Sequence, residues 1–543
     1  MRLSLPWQKS TPARSARLVS LVEHCAALLL YTLFFFALTW PSVLRLGTHI
    51  LSDGGDGLQM YWNVWWVRHA ALSGAQIFET PLLFYPRTPN LLVHSLHPFG
   101  GLLTVPFAGL LGDVALFNLV VVFGFVVSGW GAYLFTKRVA GGGLPAFVGG
   151  YLFTFSNYHF AHATGHLNLV LMQWIPFYFL FLLRLIRGSR KRDAALAALF
   201  LFLVLLCDHY YFLFCVLASA VFLVWGFWSR VLAFTRQSVQ AFALFAGLVL
   251  GTSGVFLFAF LRVASAGDVV GHDPAGGSMD LFALLIPGGH WRFRELTEAY
   301  WQGGNIHEMS VHLGVGAIVL AVWGYLALRR RRDPTRFLLA PLALVFFALA
   351  LGTDLFVFGN QVTLLTPYEV LERVLPPIRA GGMPVRFIVI TVFALSVLAA
   401  CGVRALLASR AGRLPLALLL SLAFTELLPY PVPSTPITFP PHIEFLAERT
   451  QTQPGAVLDL AHPRQVAMAY QTRHEQPIQT GYLARTQDAV ERSYARVRAL
   501  GRLNQFTRLG SDWGFRYVLS ESDLSCCRLL HDGPVRIYEI MSD

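Results

Sequence analysis

Charged side chains are scarce in this chain of 543 residues, and lysine is almost missing. Only 13% of the residues are charged, whereas an average soluble domain has about 25%. The only lysines are Lys9, Lys137 and Lys191, so the net charge of +12 comes from arginine. The arginines lie at the ends of apolar segments and form no single basic patch, which excludes a nucleic-acid partner. This composition is typical of a membrane protein.

Sequence signals for several other classes of protein are also missing. The six cysteines have neither a disulfide framework nor a metal-ligand spacing. No GxxxxGK[ST] loop occurs, so the sequence gives no sign of an ATP motor. The first apolar run lacks a small-residue cleavage site and is predicted to be a retained span. The predicted cytoplasmic loops are too short for a nucleotide-sugar domain, so a transferase here must use a donor already in the membrane.

Long apolar segments predict about eleven membrane-spanning helices. They lie near residues 21–44, 114–135, 143–160, 168–187, 194–207, 209–228, 239–262, 309–328, 337–358, 385–403 and 414–430. Alternate short loops hold 21 basic residues, against nine in the longer loops between them. Basic loops stay in the cytoplasm. We therefore predict a multi-pass protein of the inner (cytoplasmic) membrane with a cytoplasmic N-terminus and an outer C-terminus.

This topology divides the chain into three predicted parts. Residues 1–20 form a basic cytoplasmic N-terminus, and residues 21–430 form the transmembrane region with a large first outer loop at 45–113. Residues 431–543 combine a proline-rich linker with a small extracytoplasmic α/β domain, in which GAVLDLA, FRYVLS and VRIYEI are predicted strands. This domain has no nucleophile motif, so we expect it to dock on the outer loops or bind a partner.

The first outer loop opens with LSDGGDGLQMYWNVWW, which contains Asp53 and Asp56. The tryptophans recur at helical spacing, which predicts an amphipathic helix in the membrane interface after Asp56. One interpretation makes Asp56 the N-cap of that helix, with Gln59 completing a capping box. The other makes Asp56 a general base at the membrane surface, with Asp53 as the alternative base.

A histidine-rich stretch, SNYHFAHATGHLN, begins at the end of the predicted third span. His159, His162 and His166 share one face if the helix continues that far, and Asn168 comes next. Imidazole and carboxylate groups suit several divalent ions. Metal binding with Asp53 or Asp56, hydrogen bonding to a sugar or phosphate, and interfacial packing all remain open.

Polar residues also stand between later apolar runs. Asp208 and His209 separate two of these runs, deep in the predicted membrane region, where polar groups are expected to face a water-filled cavity. The following Tyr210 and Tyr211 are predicted to anchor the membrane interface. The late outer loops hold Arg292, Glu308, Arg379 and Arg386. A guanidinium binds phosphate through two parallel hydrogen bonds, although Arg386 at a helix end could also only snorkel.

Short motifs from most of the chain together resemble a known superfamily. They are GDGLQMYWNVWW, FYPRTPNLL, SNYHFAHATGHLNLVLMQWIP, IRAGGMPVRF, QTRHEQPIQTGYLAR and WGFRYVLS. With the order of spans and outer loops, the chain resembles the GT-C superfamily of polytopic membrane glycosyltransferases, and within it bacterial glycosyltransferase-family-39-like or YfhO-like proteins. The resemblance implies an α-helical polytopic GT-C-like fold with a small α/β C-terminal domain.

The resemblance also implies a reaction and its partners. A sugar would move from a polyprenyl-phosphate-linked donor to a lipid, glycan or protein acceptor on the outer face of the membrane. Asp56 matches the family's catalytic acid, and Arg379 or Arg386 matches its phosphate-binding basic residues. Several GT-C branches place two acids side by side, whereas two glycines separate Asp53 from Asp56 here, so which acid is the base stays open.

These observations give one leading hypothesis and two alternatives. The leading hypothesis is a hexosyl- or pentosyltransferase in the bacterial cell envelope. A lipid-linked glycan flippase would explain Asp208 and His209, but it predicts an internal repeat that the sequence lacks. The second alternative is a non-catalytic protein that assists assembly of the envelope. The candidate residues are Asp56 and Asp53 for catalysis; Arg379, Arg386 and Arg292 for the donor phosphate; His162, His166, Asn168, Asp208, His209 and Glu308 for the substrate cavity; and Asp56, His162 and His166 for a divalent metal ion.

Overall fold

The computed structural model describes residues 13–265, 274–300, 308–375, 378 and 381–541. Between residues 13 and 140, the structure has one short strand and four α-helices. A long first helix and a long fourth helix enclose a loop region that contains α2, the helix predicted after Asp56. These elements are α1 (Ala13–Leu38), β1 (His49–Ile50), α2 (Asp56–Ser73), α3 (Pro98–Thr104) and α4 (Asp113–Ala140).

Helices dominate the chain from residue 144 to residue 426 as well. A π-helical turn joins α11 to α12, and a small hairpin of β2 and β3 precedes α15. The elements are α5 (Leu144–Thr154), α6 (Asn157–His162), α7 (Leu167–Val170), α8 (Trp174–Gly188), α9 (Lys191–Leu205), α10 (His209–Trp228), α11 (Arg236–Val249), α12 (Val255–Ser265), α13 (Val315–Arg330), α14 (Arg336–Ala350), β2 (Leu355–Val357), β3 (Asn360–Val362), α15 (Pro367–Val374), α16 (Ile388–Leu407) and α17 (Arg413–Glu426).

Six helical segments in the described part of the chain are long and apolar enough to cross a membrane. They are Leu21–Leu38, Asp113–Ala140, Leu167–Gly188, His209–Trp228, Arg236–Ala264 and Pro384–Leu407, and each coincides with a span predicted from the sequence. The other five predicted segments contain helices of 16 residues or fewer, about 24 Å at 1.5 Å per residue. The total of about eleven spans therefore stays a prediction.

Helix α16 lies at the centre of the helical region and packs against α13, α5 and α14. Nearly all of its residues are buried. Gly324 on α13 and Gly402 on α16 allow the two backbones to approach closely: a Cβ atom at Gly324 would lie 1.9 Å from the carbonyl oxygen of Leu398. Small residues permit the same close approach between helices in membranes.

The C-terminal part of the chain contains a four-stranded mixed sheet with helices around it. The strand order is β5-β6-β8-β7, with β5 and β6 parallel and the other pairs antiparallel. The three strands predicted in this region are confirmed as β5, β6 and β8, and β7 was not predicted. The elements are β4 (Thr435–Pro436), α18 (Pro441–Thr452), β5 (Ala456–Asp459), α19 (Arg464–His474), α20 (Asp488–Arg502), α21 (Phe506–Trp513), β6 (Phe515–Ser520), β7 (Arg528–His531) and β8 (Arg536–Glu539).

The C-terminal part lies against the first loop region. Strand β4 pairs with β1, and the amide of Ile478 donates to the carbonyl oxygen of Leu82 at 2.8 Å. Helix α2 packs against α19, and Nε1 of Trp62 donates to Oε1 of Gln471 at 2.5 Å. The prediction of an amphipathic α2 with its tryptophans at the membrane interface is therefore wrong for the tryptophans: Trp62, Trp65 and Trp66 are all buried inside the protein.

Candidate active site

The two aspartates at the start of α2 have different partners. Oδ1 of Asp53 accepts hydrogen bonds from the amides of Gly55 at 3.1 Å and Gly57 at 2.9 Å. The amide of Asp53 donates to the carbonyl oxygen of Thr164 at 2.7 Å. Asp53 thus satisfies an amide group at the helix start, where unpaired N–H groups need an acceptor. Asp53 also joins this loop to the turn after α6.

The capping box predicted for Asp56 is wrong. The N-cap is Gly55, which has no side chain that could make a capping bond, and Asp56 is the first residue of α2. Gln59 is buried and its Nε2 donates to the carbonyl oxygen of Tyr482 at 2.8 Å. The prediction failed because Gln59 contacts the C-terminal part of the chain, a partner that local spacing does not reveal.

Asp56 faces a small polar cluster and remains partly accessible. Its Oδ2 lies 3.5 Å from Nε2 of His166, and 36% of its side-chain surface is exposed. The hydroxyl of Tyr482 forms a side-chain hydrogen bond with Asp56; burial raises the pKa of Tyr482, and the Asp56 charge raises it further. Gly165 packs against both acids, because a Cβ atom there would lie 3.2 Å from Cβ of Asp56 and 3.4 Å from Oδ2 of Asp53.

The three histidines His159, His162 and His166 do not share a helix face. Helix α6 ends at His162, and a turn brings Nδ1 of His166 to 3.2 Å from Nδ1 of His162. His159 points into the core, where its ring stacks on Phe125 and both its nitrogens bond to backbone carbonyl oxygens. The prediction of one shared face is wrong because the helix stops, yet the turn still brings His162 and His166 together.

A buried ion pair lies on the other side of His162. Glu308 accepts two hydrogen bonds from Arg386, from Nε at 3.2 Å and Nη2 at 2.5 Å, and Oε2 of Glu308 lies 3.9 Å from Nε2 of His162. Burial alone would raise the pKa of Glu308, but the charge of Arg386 lowers it well below its usual value. Burial lowers the pKa of His162, only partly opposed by Glu308. The cluster therefore combines an ionised carboxylate with a neutral imidazole.

Tyr210 and Arg485 extend this cluster towards the C-terminal part of the chain. The Arg386 guanidinium lies 4.9 Å from the ring centre of Tyr210. The Tyr210 hydroxyl donates to the carbonyl oxygen of Gly381 at 2.5 Å and accepts from Nη2 of Arg485 at 2.9 Å. Tyr210 was predicted to anchor the membrane interface, and that prediction is wrong because the tyrosine holds two arginines in place. Tyr482 and Arg485 were missed, although both belong to the motif QTGYLAR.

Asp208 and Asn168 lie in the same region. Nδ2 of Asn168 donates to Oδ2 of Asp208 at 2.7 Å, and Oδ1 of Asp208 caps α10 through the amides of Tyr210 and Tyr211. Tyr211 is fully buried, so its predicted role as an interface anchor is also wrong. Asp208 has a structural function as a cap. Its bond to Asn168 connects α10 to α7, the short helix that follows the turn at residues 163–166 (the histidine turn).

Of the remaining predicted site residues that the structure describes, Arg292 and His209 are not part of this cluster. Arg379 lies outside the described residues. Arg292 is exposed, and its amide donates to the carbonyl oxygen of Leu428. His209 is buried with its ring against Phe256 and Phe260. The polar cluster is thus built from Asp56, His162, His166, Glu308, Arg386, Tyr210, Tyr482 and Arg485.

Comparison with models of protein families gives one match. A family model described as Domain of unknown function (DUF6311) matches residues 27–427, about three quarters of the chain. No curated protein sequence matches significantly.

Comparison with solved structures identifies the fold. The arabinofuranosyltransferase AftD from Mycobacteria matches with a TM-score of 0.51 and 16% identity over 96% of this chain and 40% of that chain. A mutant of the same enzyme matches with a TM-score of 0.54 and 13% identity over 97% of this chain and 42% of that chain. ArnT from Cupriavidus metallidurans matches with a TM-score of 0.47 and 12% identity over 96% and 98% of the two chains. The fold is GT-C-like, and the chain spans about 40% of the length of the arabinofuranosyltransferase.

Proposed function

The chain belongs to the DUF6311 family, and we propose that it is an integral membrane glycosyltransferase. It moves a sugar from a polyprenyl-phosphate-linked donor to a lipid, glycan or protein acceptor. The observation that carries this proposal is the position of Asp56 within a GT-C-like fold. Its carboxylate is partly exposed, hydrogen-bonded to Tyr482 and close to His166. It belongs to the same polar cluster as Arg386 and Arg485.

Asp56 acts as the general base in this proposal. Its carboxylate accepts the proton of an acceptor hydroxyl, and the hydroxyl oxygen forms a bond to the anomeric carbon of the donor. The bond between that carbon and the phosphate oxygen breaks, so polyprenyl phosphate leaves and the configuration inverts. Asp56 suits this role better than Asp53, because Oδ1 of Asp53 already accepts two backbone hydrogen bonds.

Two arginines around Tyr210 are proposed to bind the donor phosphate. Arg386 is held by Glu308 and lies against Tyr210, and Arg485 donates to the Tyr210 hydroxyl. Guanidinium groups in fixed orientation suit phosphate, which accepts paired hydrogen bonds. Arg379 and Arg292 stay as further candidates from the sequence.

The proposed orientation places this chemistry outside the cytoplasm. With about eleven spans and a cytoplasmic N-terminus, the loop that carries Asp56 and the α/β domain after residue 431 are on the outer face of the inner membrane. Gln59 donates to the carbonyl oxygen of Tyr482, and the Tyr482 hydroxyl donates to Asp56; both hydrogen bonds agree with this proposal, since they require the two segments to be on one side of the membrane.

A transfer assay with the purified full-length protein tests the proposed function. The donors are polyprenyl-phosphate sugars with hexoses and pentoses, including arabinofuranose because of the fold likeness to an arabinofuranosyltransferase. The acceptors are total membrane lipids and glycans. We expect labelled product from at least one donor, with inverted configuration. If no donor yields product while the protein moves labelled lipid-linked glycan across a vesicle bilayer, the flippase hypothesis replaces the transferase.

A further inference from the structure

His162 has a ring nitrogen that no hydrogen bond satisfies. The side chain is 1% exposed, and its Nε2 has no hydrogen-bond partner among the described residues. The nearest carboxylate oxygen, Oε2 of Glu308, is 3.9 Å away. This distance is too long for a hydrogen bond. Two atoms that bind one tetrahedral ion at about 2.0–2.2 Å each, however, lie about 3.3–3.6 Å apart, only a few tenths of an ångström closer than this pair.

His166 supplies a third ligand beside this pair. One ligand atom from each of His162, His166 and Glu308 lies within 4.8 Å of the others. Nε2 of His166 faces Oδ2 of Asp56 at 3.5 Å, and its Nδ1 faces His162. A metal-bound histidine usually directs its second nitrogen to a carboxylate or a carbonyl oxygen. Asp56 takes that position for His166.

Glu308 has the support that a metal-binding carboxylate needs. Arg386 donates to both of its oxygens, and metal-binding carboxylates are in turn held by hydrogen bonds. Each oxygen of an ionised carboxylate has a second lone pair, so Oε2 can accept from Arg386 and bind an ion. The positive charges of Arg386 and of the ion would be balanced by the negative charges of the Glu308, Asp56 and Asp53 carboxylates.

We propose that His162, His166 and Glu308 bind one divalent transition-metal ion, with zinc as the favoured ion. Two imidazoles and one carboxylate suit zinc and related metals, whereas calcium and magnesium prefer oxygen ligands. Binding of the ion breaks the present contact between the two Nδ1 atoms. It also draws the ligand atoms together from separations of up to 4.8 Å to about 3.3–3.6 Å. Three protein ligands leave a fourth coordination position for water or a substrate oxygen.

The open position gives the ion a role beside Asp56. A phosphate oxygen or sugar hydroxyl of the donor is the substrate group that would occupy it. This assignment of a role rests on the proposed function, whereas binding of the ion does not.

Metal content of the full-length protein, purified without a polyhistidine tag, tests the site. The protein is stripped with a chelator, dialysed against limiting Zn²⁺ and analysed by inductively coupled plasma mass spectrometry. We expect one equivalent of zinc, and at least a tenfold weaker affinity in His162→Ala and in His166→Ala. Replacement by Co²⁺ should give visible absorption bands that both variants lose.

A second histidine pair provides the matched control. Nε2 of His442 lies 3.3 Å from Nε2 of His462, and Asp459 bonds to the other nitrogen of His462 at 2.9 Å. The double variant His442→Ala/His462→Ala should keep the full equivalent of zinc. Absence of bound zinc in the wild type, wild-type affinity in both cluster variants, or loss of zinc only in the control would overturn the proposal. Because no substrate is present, the result is independent of whether the chain transfers sugar.

Discussion

At the scale of single residues, the surroundings of Asp53 and Asp56 separate their roles. Asp53 holds the start of α2 through two amides, while Asp56 contacts His166 and Tyr482. The sequence and the family resemblance favoured Asp56 as the base, kept Asp53 as the alternative, and left the choice between them open. The choice depends on partners from residues 162–166 and 482, which local spacing does not place beside the loop.

Gly165→Ala tests how closely the histidine turn must pack on Asp56. The added Cβ would lie 3.2 Å from Cβ of Asp56, so we expect Asp56 to shift and kcat to fall about tenfold or more, since small misplacements of a catalytic group have large effects on rate. Gly112→Ala is the control, because a Cβ atom there meets nothing within 4 Å. Equal transfer rates in the two variants would contradict the close packing.

At the scale of elements, helix positions were predicted better than helix surroundings. The helix after Asp56 and the strands of the C-terminal sheet lie where hydrophobic periodicity put them. The faces of α2 were not predictable, because Trp62 and Gln59 contact residues more than 400 positions away. Likewise, α6 ends at His162, so the spacing of three histidines did not describe their geometry.

Gly324→Ala tests the close contact of α13 with α16. The Cβ atom would lie 1.9 Å from a backbone oxygen of Leu398, and a backbone atom cannot move aside as a flexible side chain can. We expect a loss of about 1–3 kcal/mol in stability, as for other overpacked sites, measured as a lower Tm of the protein in detergent. Gly247→Ala on α11, where a Cβ meets nothing within 4 Å, should leave the Tm unchanged or raised. A normal Tm for Gly324→Ala would mean that the two helices are further apart.

At the scale of the whole molecule, the C-terminal part of the chain completes the candidate site. It was predicted to dock on the outer loops or to bind a partner, and no role in chemistry was expected for it. The segment 478–485 runs along residues 82–85 in the first loop region and also brings Tyr482 to Asp56 and Arg485 to Tyr210. The sequence indicated a separate fold for this part, but the tertiary contact that makes it part of the cluster has no local signal.

The proposed orientation predicts which side of the membrane carries Cys526. This cysteine is exposed in the C-terminal part, and its neighbour Cys527 is buried. A membrane-impermeant maleimide added to intact cells should label the wild type, and Cys526→Ser should lose that label. Labelling that appears only after the cells are broken would place this part of the chain in the cytoplasm and contradict the proposed topology.

The rate of sugar transfer by Asp56→Asn is the most direct test of the proposed catalytic role. Asparagine keeps the size of the side chain and cannot accept the proton of the acceptor hydroxyl, so we expect kcat to fall by about 10²–10⁴ with an unchanged Tm. Asp488→Asn changes a partly exposed acid that pairs with Arg492 on α20, and this variant should transfer at the wild-type rate. Transfer by Asp56→Asn at the wild-type rate would show that Asp56 is not the base.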